Sequence, residues 1–294
     1  MRKTLILVVV LTLAPAHAHA WGFEAHKFIM DRAIALLPAP LRPLFEKHRA
    51  TLVERSIDPD LWRNAGFNEE DKNHFLDLDW EGFGKYPFTE LPRDYAAAVA
   101  KFGIERIEQM GTLPWRVEEF HGNLRRAFEA YPRRGPFGQS DIVFFSAALA
   151  HYVSDAHVPF HAVFNYDGQL SGQNGIHARF ESIMFERFRD QLTTDPKPIA
   201  PIRAPRDFIF DRLLEGTQLV PQILKTDLEA IGTRDLYDDM YFAAFFKANR
   251  SVLERRLNES IAAVVAAITG AWDAAGQPPA PADSAPLPPQ RRRR

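Results

Sequence analysis

The chain contains no cysteine among its 294 residues. Disulfide bonds and cysteine-ligated zinc sites are therefore excluded, and any zinc must be bound through nitrogen and oxygen atoms. Alternation of apolar and polar residues, which is typical of a half-buried strand, is scarce. The apolar run from Leu5 to Leu13 is far shorter than the roughly 20 residues that a membrane-spanning helix needs. These absences argue against a disulfide-stabilised scaffold and against an anchor in the membrane.

An excess of positive charge is also missing. The formal net charge is −2, although four consecutive arginines, residues 291–294, end the chain. The rest of the chain is thus acidic, unlike a protein that binds duplex DNA with high affinity. An acidic enzyme can still act on anionic substrates when bound metal ions supply positive charge locally.

The N-terminus has the pattern of a secretory signal peptide. Arg2 and Lys3 precede the apolar run, and Ala18-His19-Ala20 forms a cleavage site with small residues at its first and third positions. We predict that residues 1–20 are removed. The mature protein would then begin at Trp21 and be secreted or periplasmic.

Apolar residues recur at three- and four-residue steps along most of the mature chain, which predicts an all-α domain. The clearest helical patterns are Lys27 to Leu37, Tyr95 to Met110, Asp141 to Ser154 and Leu253 to Trp272. Connectors between helices are predicted at Pro38 to Pro40, Pro87, Pro92, Pro132 and Lys197 to Pro205. We expect one domain over residues 21–275 and a disordered, Pro-rich tail over residues 276–294.

The sharpest motif runs from His151 to His161. His151 and Asp155 are four residues apart, so a helix places both on one face, where one cation can contact both. Pro159 should end that helix. His161 then lies beyond the break and can approach the same region from another direction.

Two further pairs offer the same kinds of donor atom. His177 and Glu181 are again four residues apart, and Asp60 and His74 are separated by fourteen residues around a predicted loop. Imidazole nitrogen and carboxylate oxygen are donors that suit zinc.

The mature N-terminus adds ligands of its own. The α-amine and carbonyl of Trp21 can form a five-membered chelate, which His26 can join. Any one pair alone is more often a hydrogen bond than a metal site. Two His-x3-acid pairs within 31 residues, one of them on an almost wholly apolar helix, favour metal, because burying His151 and Asp155 without partners would cost several kcal/mol.

The order Trp–His–Asp–His–His-x3-Asp-x5-His–His-x3-Glu resembles the superfamily of bacterial zinc phospholipases C and secreted zinc-dependent single-strand nucleases. The resemblance extends from Trp21 to Glu181 and fills all nine ligand positions. It implies an all-α, single-domain fold with a trinuclear zinc cleft.

The resemblance further implies three zinc ions. One would be held by Asp60, His74, His151 and Asp155. A second would be held by the Trp21 amine and carbonyl, His26 and the bridging Asp155. The third would be held by His161, His177 and Glu181.

The implied reaction is in-line attack of a metal-bound hydroxide on phosphorus. Asp60 would orient or deprotonate the water. Arg63 matches a basic residue near the phosphate in the nuclease branch and would neutralise developing charge. The alternative for Arg63 is an ordinary surface arginine.

Features of the phospholipase branch include Glu181 in place of Asp, the fourteen-residue gap before His74 and the absence of cysteine. Glu24 matches an acidic residue that contacts the choline head group in that branch. Leu61 replaces an aromatic residue there, so a cage for a quaternary ammonium is not evident.

The spacing from Trp21 to His26 and the segment from Asp155 to His161 resemble the nuclease branch, whereas His74 to Asp77 fits both branches. In nucleases the residue matching Phe75 stacks on a base and the residue matching Asp77 bonds the base edge. The alternative is that both have only local packing roles. Asn174 is displaced by one residue from its usual place in that branch. His48 and His121 are expected at the surface, and His157 is expected either behind the metal ligands or at a helix end.

We therefore predict a secreted zinc phosphoric ester hydrolase, a phosphodiesterase similar to phospholipase C. A single-strand nuclease or nucleotidase is the alternative, and a non-catalytic zinc-binding protein is a third. The expected partner is a phosphate-ester substrate, either phospholipid or single-stranded nucleic acid. No obligate protein partner is indicated.

Overall fold

The computed structural model describes residues 21–134, 136–280 and 282–283. Within these ranges the protein is all-helical, as predicted, and contains no strand. The α-helices of the described residues are α1 Phe23–Leu36, α2 Arg42–Lys47, α3 Arg49–Arg55, α4 Asp58–Asn64, α5 Tyr95–Phe102, α6 Ile104–Met110, α7 Leu113–Arg134, α8 Pro136–Asp155, α9 Ile176–Ala178, α10 Met184–Phe188, α11 Pro205–Ile231 and α12 Asp239–Ala274. The predicted signal peptide lies outside the described residues.

Helix α8 occupies the centre of the fold. It packs against α7, α12, α3 and α1, which explains why its sequence is apolar almost all round. Leu149, Tyr152 and Val153 have no exposed surface. Because the C-terminal half of the helix is enclosed, a polar side chain there must find its partner inside the protein.

Short helical turns connect the α-helices near the centre. Asn68–His74 and Pro159–Ala162 are 3-10 helical, and a π-helical turn, Arg179–Ile183, links α9 to α10. The two longest helices have clear start signals: Pro205 is the first residue of α11, and the side chain of Asp238 accepts a hydrogen bond from Tyr241 N (2.8 Å) before α12.

Three local predictions were wrong. The stripe from Tyr95 to Met110 is two helices, since Gly103 adopts φ +83° and ends α5. Pro132 lies inside α7, close to its end, rather than in a connector. His121 is buried, not at the surface, because the extended segment that contains Ile202 covers it.

The first residues after α12 are in contact with the body, in contrast to the disorder predicted from residue 276. Trp272 Nε1 donates to Pro278 O (2.9 Å), and Ala282 O accepts from Lys47 Nζ (2.7 Å) and Gln139 Nε2 (2.8 Å). Residues 284–294 lie outside the described residues, so their disorder stays a prediction. No helix of the described ranges has both the length and the apolarity of a membrane span.

Candidate metal centre

Eight of the nine predicted ligands contribute side chains to a buried region around the C-terminal end of α8. His26 comes from α1, Asp60 from α4, His74 from the end of the Asn68–His74 turn, His151 and Asp155 from α8, His161 from the Pro159–Ala162 turn, and His177 and Glu181 from the α9–π segment. All eight are buried. Chain segments that are far apart in sequence therefore meet here.

The donor atoms form three groups that could each hold a metal ion. They are His26 with His151 and Asp155, Asp60 with His74 and His151, and His161 with His177 and Glu181. Within each group the donor atoms lie within 4.8 Å of one another. The groups match the three predicted sites in part: the residue that the first two groups share is His151, whereas Asp155 was predicted to bridge them.

Asp155 belongs to the first group and also contacts His74 of the second. Its Oδ1 lies 3.3 Å from His26 Nε2, and its Oδ2 lies 3.0 Å from His74 Nδ1 and 3.3 Å from His151 Nε2. Burial alone would raise the pKa of Asp155, but the surrounding imidazoles lower it well below its ordinary value. The imidazoles thus favour the charged carboxylate, and the bridging of two cations by Asp155 stays a prediction.

The third group is shaped by the π-helical turn. His177 Nε2 lies 3.0 Å from Glu181 Oε2, and His161 Nε2 lies 3.8 Å from the same oxygen. Burial lowers the pKa of His161 to about 3 and that of His177 to about 4. Both rings are therefore neutral near pH 7 and keep lone pairs for a metal. Single π-helical turns often occur at functional sites.

Without a nearby cation, the ionised form of the Glu181 side chain is disfavoured. Burial raises its pKa well above the ordinary value, and the negative charges of Asp155 and Asp60 raise it further. A divalent ion at this position would remove that penalty, because its charge is then the largest in the site.

Main-chain carbonyls orient two of the imidazoles. His151 Nδ1 lies 2.8 Å from Ser56 O, and His161 Nδ1 lies 2.5 Å from His74 O. Each contact favours the proton on Nδ1. The lone pair of Nε2 is then free to bind a metal. For both residues Nε2 is the atom that faces the carboxylates.

Several buried nitrogen and oxygen atoms that could bind a metal have no hydrogen-bond partner among the described residues. They include Asp60 Oδ2, His161 Nε2 and both ring nitrogens of His177. Leaving one such group unpaired costs about 1–3 kcal/mol. Such a concentration of unpaired imidazole and carboxylate atoms in one place is typical of metal ligands, so the residues fit zinc.

A carboxylate that sequence reasoning missed lies behind His74. Glu70 Oε1 is 3.8 Å from His74 Nε2, and Glu70 in turn accepts hydrogen bonds from Tyr152 Oη and from Arg116 Nη2 (2.9 Å). The spacing of four residues between Glu70 and His74 was the available signal. Carboxylates behind metal-binding histidines commonly fix the ring orientation.

Arg63 belongs to the site rather than to the open surface. Its side chain is largely buried, and Nη2 donates to Asp60 Oδ1 (3.0 Å). This arrangement leaves the other oxygen of Asp60 for a cation. Contact of Arg63 with a phosphate group stays a prediction.

Trp21 lies at the edge of the metal centre. Its side chain is fully buried, with Nε1 donating to Ser154 O (2.9 Å), and its main-chain N–H interacts with Glu181. The residue before Asp155 thus anchors the indole. Coordination by the α-amine of a processed Trp21 stays a prediction.

The three candidate substrate residues have different environments. Glu24 is exposed and is 3.9 Å from Arg189. Phe75 is half-buried and lines a surface cavity of about 400 Å³. Asp77 is buried with Oδ1 unpaired, and burial, aided by Asp79, raises its pKa to about 8.

Comparisons with known proteins do not assign the chain to a family. It matches no family model, and no curated protein shows significant similarity to it.

Proposed function

We propose that this protein is a secreted zinc-dependent hydrolase of phosphoric esters. The observation that carries the proposal is the meeting of eight buried His, Asp and Glu residues in three adjoining groups, each able to hold a metal ion. Three adjoining cation sites suit a tetrahedral phosphoryl group, whose attacking, leaving and non-bridging oxygens all need positive charge. A structural zinc site, by contrast, is ordinarily mononuclear and closed.

Zinc is the metal that we propose for this site, because imidazole nitrogen and carboxylate oxygen are among its usual ligands. When bound, zinc would supply Lewis acidity toward phosphoryl oxygens and would lower the pKa of a coordinated water to about 7. Three carboxylates, from Asp60, Asp155 and Glu181, leave three divalent ions with an excess of positive charge. That excess favours an anionic substrate.

The protein side chains then have separate tasks. Asp60 keeps Oδ2 free of hydrogen bonds, which suits a group that orients or accepts the proton of an attacking water. Arg63, held by Oδ1 of the same carboxylate, would neutralise charge on the phosphoryl oxygens. Asp155 would help to hold the cations of the first two groups.

Export would complete the centre. Cleavage after Ala20 would convert the main-chain nitrogen of Trp21 into an amine beside Glu181. We infer that a chain retaining one extra residue before Trp21 binds less zinc and loses activity. Equal zinc content and activity in a Met-extended chain would contradict the terminal chelate.

Within this class, a phosphodiesterase resembling phospholipase C is our first choice. Glu181 and the fourteen-residue spacing from Asp60 to His74 support it. Nuclease activity is the second candidate, because Phe75 is accessible on a surface cavity and can stack on a base.

The test is an assay of the purified mature protein against three substrates. These are phosphatidylcholine, single-stranded DNA and bis-p-nitrophenyl phosphate, each with and without a chelator and with zinc restored. We expect chelator-sensitive hydrolysis of the chromogenic diester and of one natural substrate class. Cleavage of DNA but not of lipid would select the nuclease.

A zinc-loaded protein that hydrolyses none of the three substrates would contradict the enzyme proposal and favour a non-catalytic zinc-binding protein. Hydrolysis that survives complete removal of metal would contradict the role of the metal centre.

A further inference from the structure

His177 differs from two other histidines of the metal centre in what lies behind its ring. His151 and His161 each have a main-chain carbonyl beside Nδ1. His177 faces Glu181 Oε2 with its Nε2 (3.0 Å), while its Nδ1 is buried and has no hydrogen-bond partner among the described residues. When Nε2 binds a metal, the ring proton is on Nδ1, so this buried donor needs an acceptor.

A carboxylate with the complementary deficiency lies at the start of the helix that carries His177. Asp167 Oδ2 accepts a hydrogen bond from Gly175 N (3.0 Å), and Gly175 is the residue that precedes α9. Asp167 Oδ1 is buried and has no hydrogen-bond partner in the part of the chain that the structure describes. The fold therefore brings an unpaired buried acceptor to the start of the helix on which the unpaired donor of His177 is located.

The loop that carries Asp167 is held by hydrogen bonds of its own. Gln169 accepts from Asp167 N (2.9 Å) and donates to Phe164 O (2.7 Å). Gln173 N donates to Gly168 O (2.9 Å). Gly168 has φ +74°, and a Cβ atom there would lie 2.6 Å from Gln173 O, so the loop excludes a larger residue at this position. The protein itself thus holds the Asp167 carboxylate in position.

The charge of Asp167 acts on the His177 ring. Burial lowers the pKa of His177, and among the charged groups around the ring Asp167 has the largest effect, which opposes the fall. This effect exceeds those of Asp155 and Asp60. Because the interaction between two charges weakens with distance, the ranking is consistent with a carboxylate close to the ring.

The charge balance of the third group gives such a carboxylate a role. His161 and His177 are neutral near pH 7, so the group offers the single negative charge of Glu181 to a divalent ion. Asp167 would supply the second negative charge without contacting the ion. A carboxylate behind a metal-binding imidazole also fixes the tautomer of the ring and raises its basicity.

We propose that Asp167 is a positioning residue of the third group: its Oδ1 accepts the Nδ1 proton of His177, directly or through one water, and so holds Nε2 toward the metal. This inference rests on the metal centre of the proposed function, but it does not depend on which substrate is hydrolysed.

The test compares D167N with the unaltered mature protein, both loaded with zinc. Asparagine keeps a carbonyl oxygen for Gly175 N, but it removes the charge and places an N–H group where the His177 proton needs an acceptor. We expect the affinity for one of the three zinc ions to fall about 10- to 100-fold. Competition with a chromogenic chelator measures this affinity, and metal analysis at limiting free zinc should find two ions in D167N instead of three.

Nuclear magnetic resonance of the histidine ring protons separates positioning of the ring from support of the loop. In the unaltered zinc-loaded protein the Nδ1 proton of His177 should resonate downfield, as expected for a donor to a carboxylate. In D167N it should move upfield or exchange with water. The control Q169A removes two hydrogen bonds of the same loop but keeps the carboxylate, so it should retain three zinc ions and the downfield proton.

Unchanged zinc affinity and an unchanged His177 proton in D167N would overturn the role of Asp167. Equal losses in Q169A and D167N would also overturn it, because Asp167 would then act only through the loop. Fewer than three zinc ions in the unaltered protein would instead contradict the proposed metal centre itself. The two failures are distinguishable, since the first leaves three ions in the unaltered protein.

Discussion

Two buried polar clusters share the helical segment that runs from Ile176 to Ile183. They differ in how their buried charges are stabilised. Arg179 belongs to one cluster, with Asp227 and Tyr241 from α11 and α12. His177 and Glu181, on either side of Arg179 in sequence, belong to the metal centre. Both clusters are enclosed, so solvent explains neither.

In the Arg179 cluster every charge has a partner from the chain itself. Arg179 contacts both oxygens of Asp227 (3.1–3.3 Å) and donates to the carbonyls of Gln173 and Asn174. Tyr241 Oη and Gln173 Nε2 donate to the same carboxylate. Such a cluster is complete and needs nothing from outside.

The metal centre differs because its charges do not balance. Asp60 Oδ2 and both nitrogens of His177 have no hydrogen bond among the described residues. Burial and the nearby carboxylates raise the pKa of Glu181. A buried cluster with matched donors and acceptors is structural, whereas one with surplus acceptors calls for a cation. Four predictions sharpen this contrast, from the largest expected effect to the smallest.

Replacement of the central carboxylate should damage two metal sites at once. D155N removes the negative charge that faces His26, His74 and His151. Activity should fall at least about 100-fold, since even outer contacts of a metal site account for 10- to 100-fold effects. Metal analysis and diester assays measure both, with D190N at an exposed aspartate as the control. A full complement of zinc in D155N would disprove the bridging role.

Disruption of the complete cluster should lower stability without removing metal. D227N leaves the Arg179 guanidinium buried without its counter-charge, which costs about 3–5 kcal/mol. Urea unfolding of the zinc-loaded protein measures the loss, and metal analysis should find the usual zinc content. The double variant R179M/D227L removes both charges and should be less destabilised. If D227N lost all zinc while remaining folded, the two clusters would not be separate.

Glu70, the carboxylate behind His74, should increase the affinity for zinc. E70A removes the acceptor that faces His74 Nε2, and zinc affinity should fall about 10- to 100-fold. Competition with a chromogenic chelator measures the affinity. Y152F, which removes one hydrogen bond to Glu70, should have a smaller effect in the same direction. E69Q, at the exposed neighbouring residue, is the control, and equal affinities in all four proteins would exclude a positioning role for Glu70.

Asp77 should give a pH-dependent stability that involves no metal ligand. Its pKa is raised to about 8 in the folded protein, against about 3.9 when unfolded, so the folded state holds a proton that the unfolded state releases. The stabilising effect is complete below about pH 4 and is lost as pH rises to 8. Between pH 6 and 8 the native protein should lose about 1 kcal/mol per pH unit relative to D77N, with no further divergence above pH 8. Parallel unfolding curves for the two proteins across this range would contradict the shift.

Helical periodicity made part of this structure predictable. The pairs His151 with Asp155 and His177 with Glu181 follow from a spacing of four residues, because a helix brings such residues to one face. The all-α fold follows from the same periodicity over longer stretches. The approach of His26 and Asp60 to these pairs is tertiary and could be expected only from a resemblance of the whole ligand order.

Other features depend on contacts that local sequence does not contain. Tyr152 reaches Glu70 across 82 residues, and His121 is buried by the main chain of Ile202. The helix break at Gly103 could not be predicted from the apolar stripe alone, because glycine adopts helical and positive φ angles with similar ease. The approach of Asp167 to the start of α9 depends on how its loop folds, and periodicity carries no information about that.

The most direct measurement is an anomalous-scattering experiment at the zinc edge on crystals of the mature protein grown without added metal. The account predicts three peaks, one in each group: beside His26, His151 and Asp155, beside Asp60, His74 and His151, and beside His161, His177 and Glu181. A well-ordered crystal with no metal peak in any of the three groups, even after soaking in zinc, would contradict it.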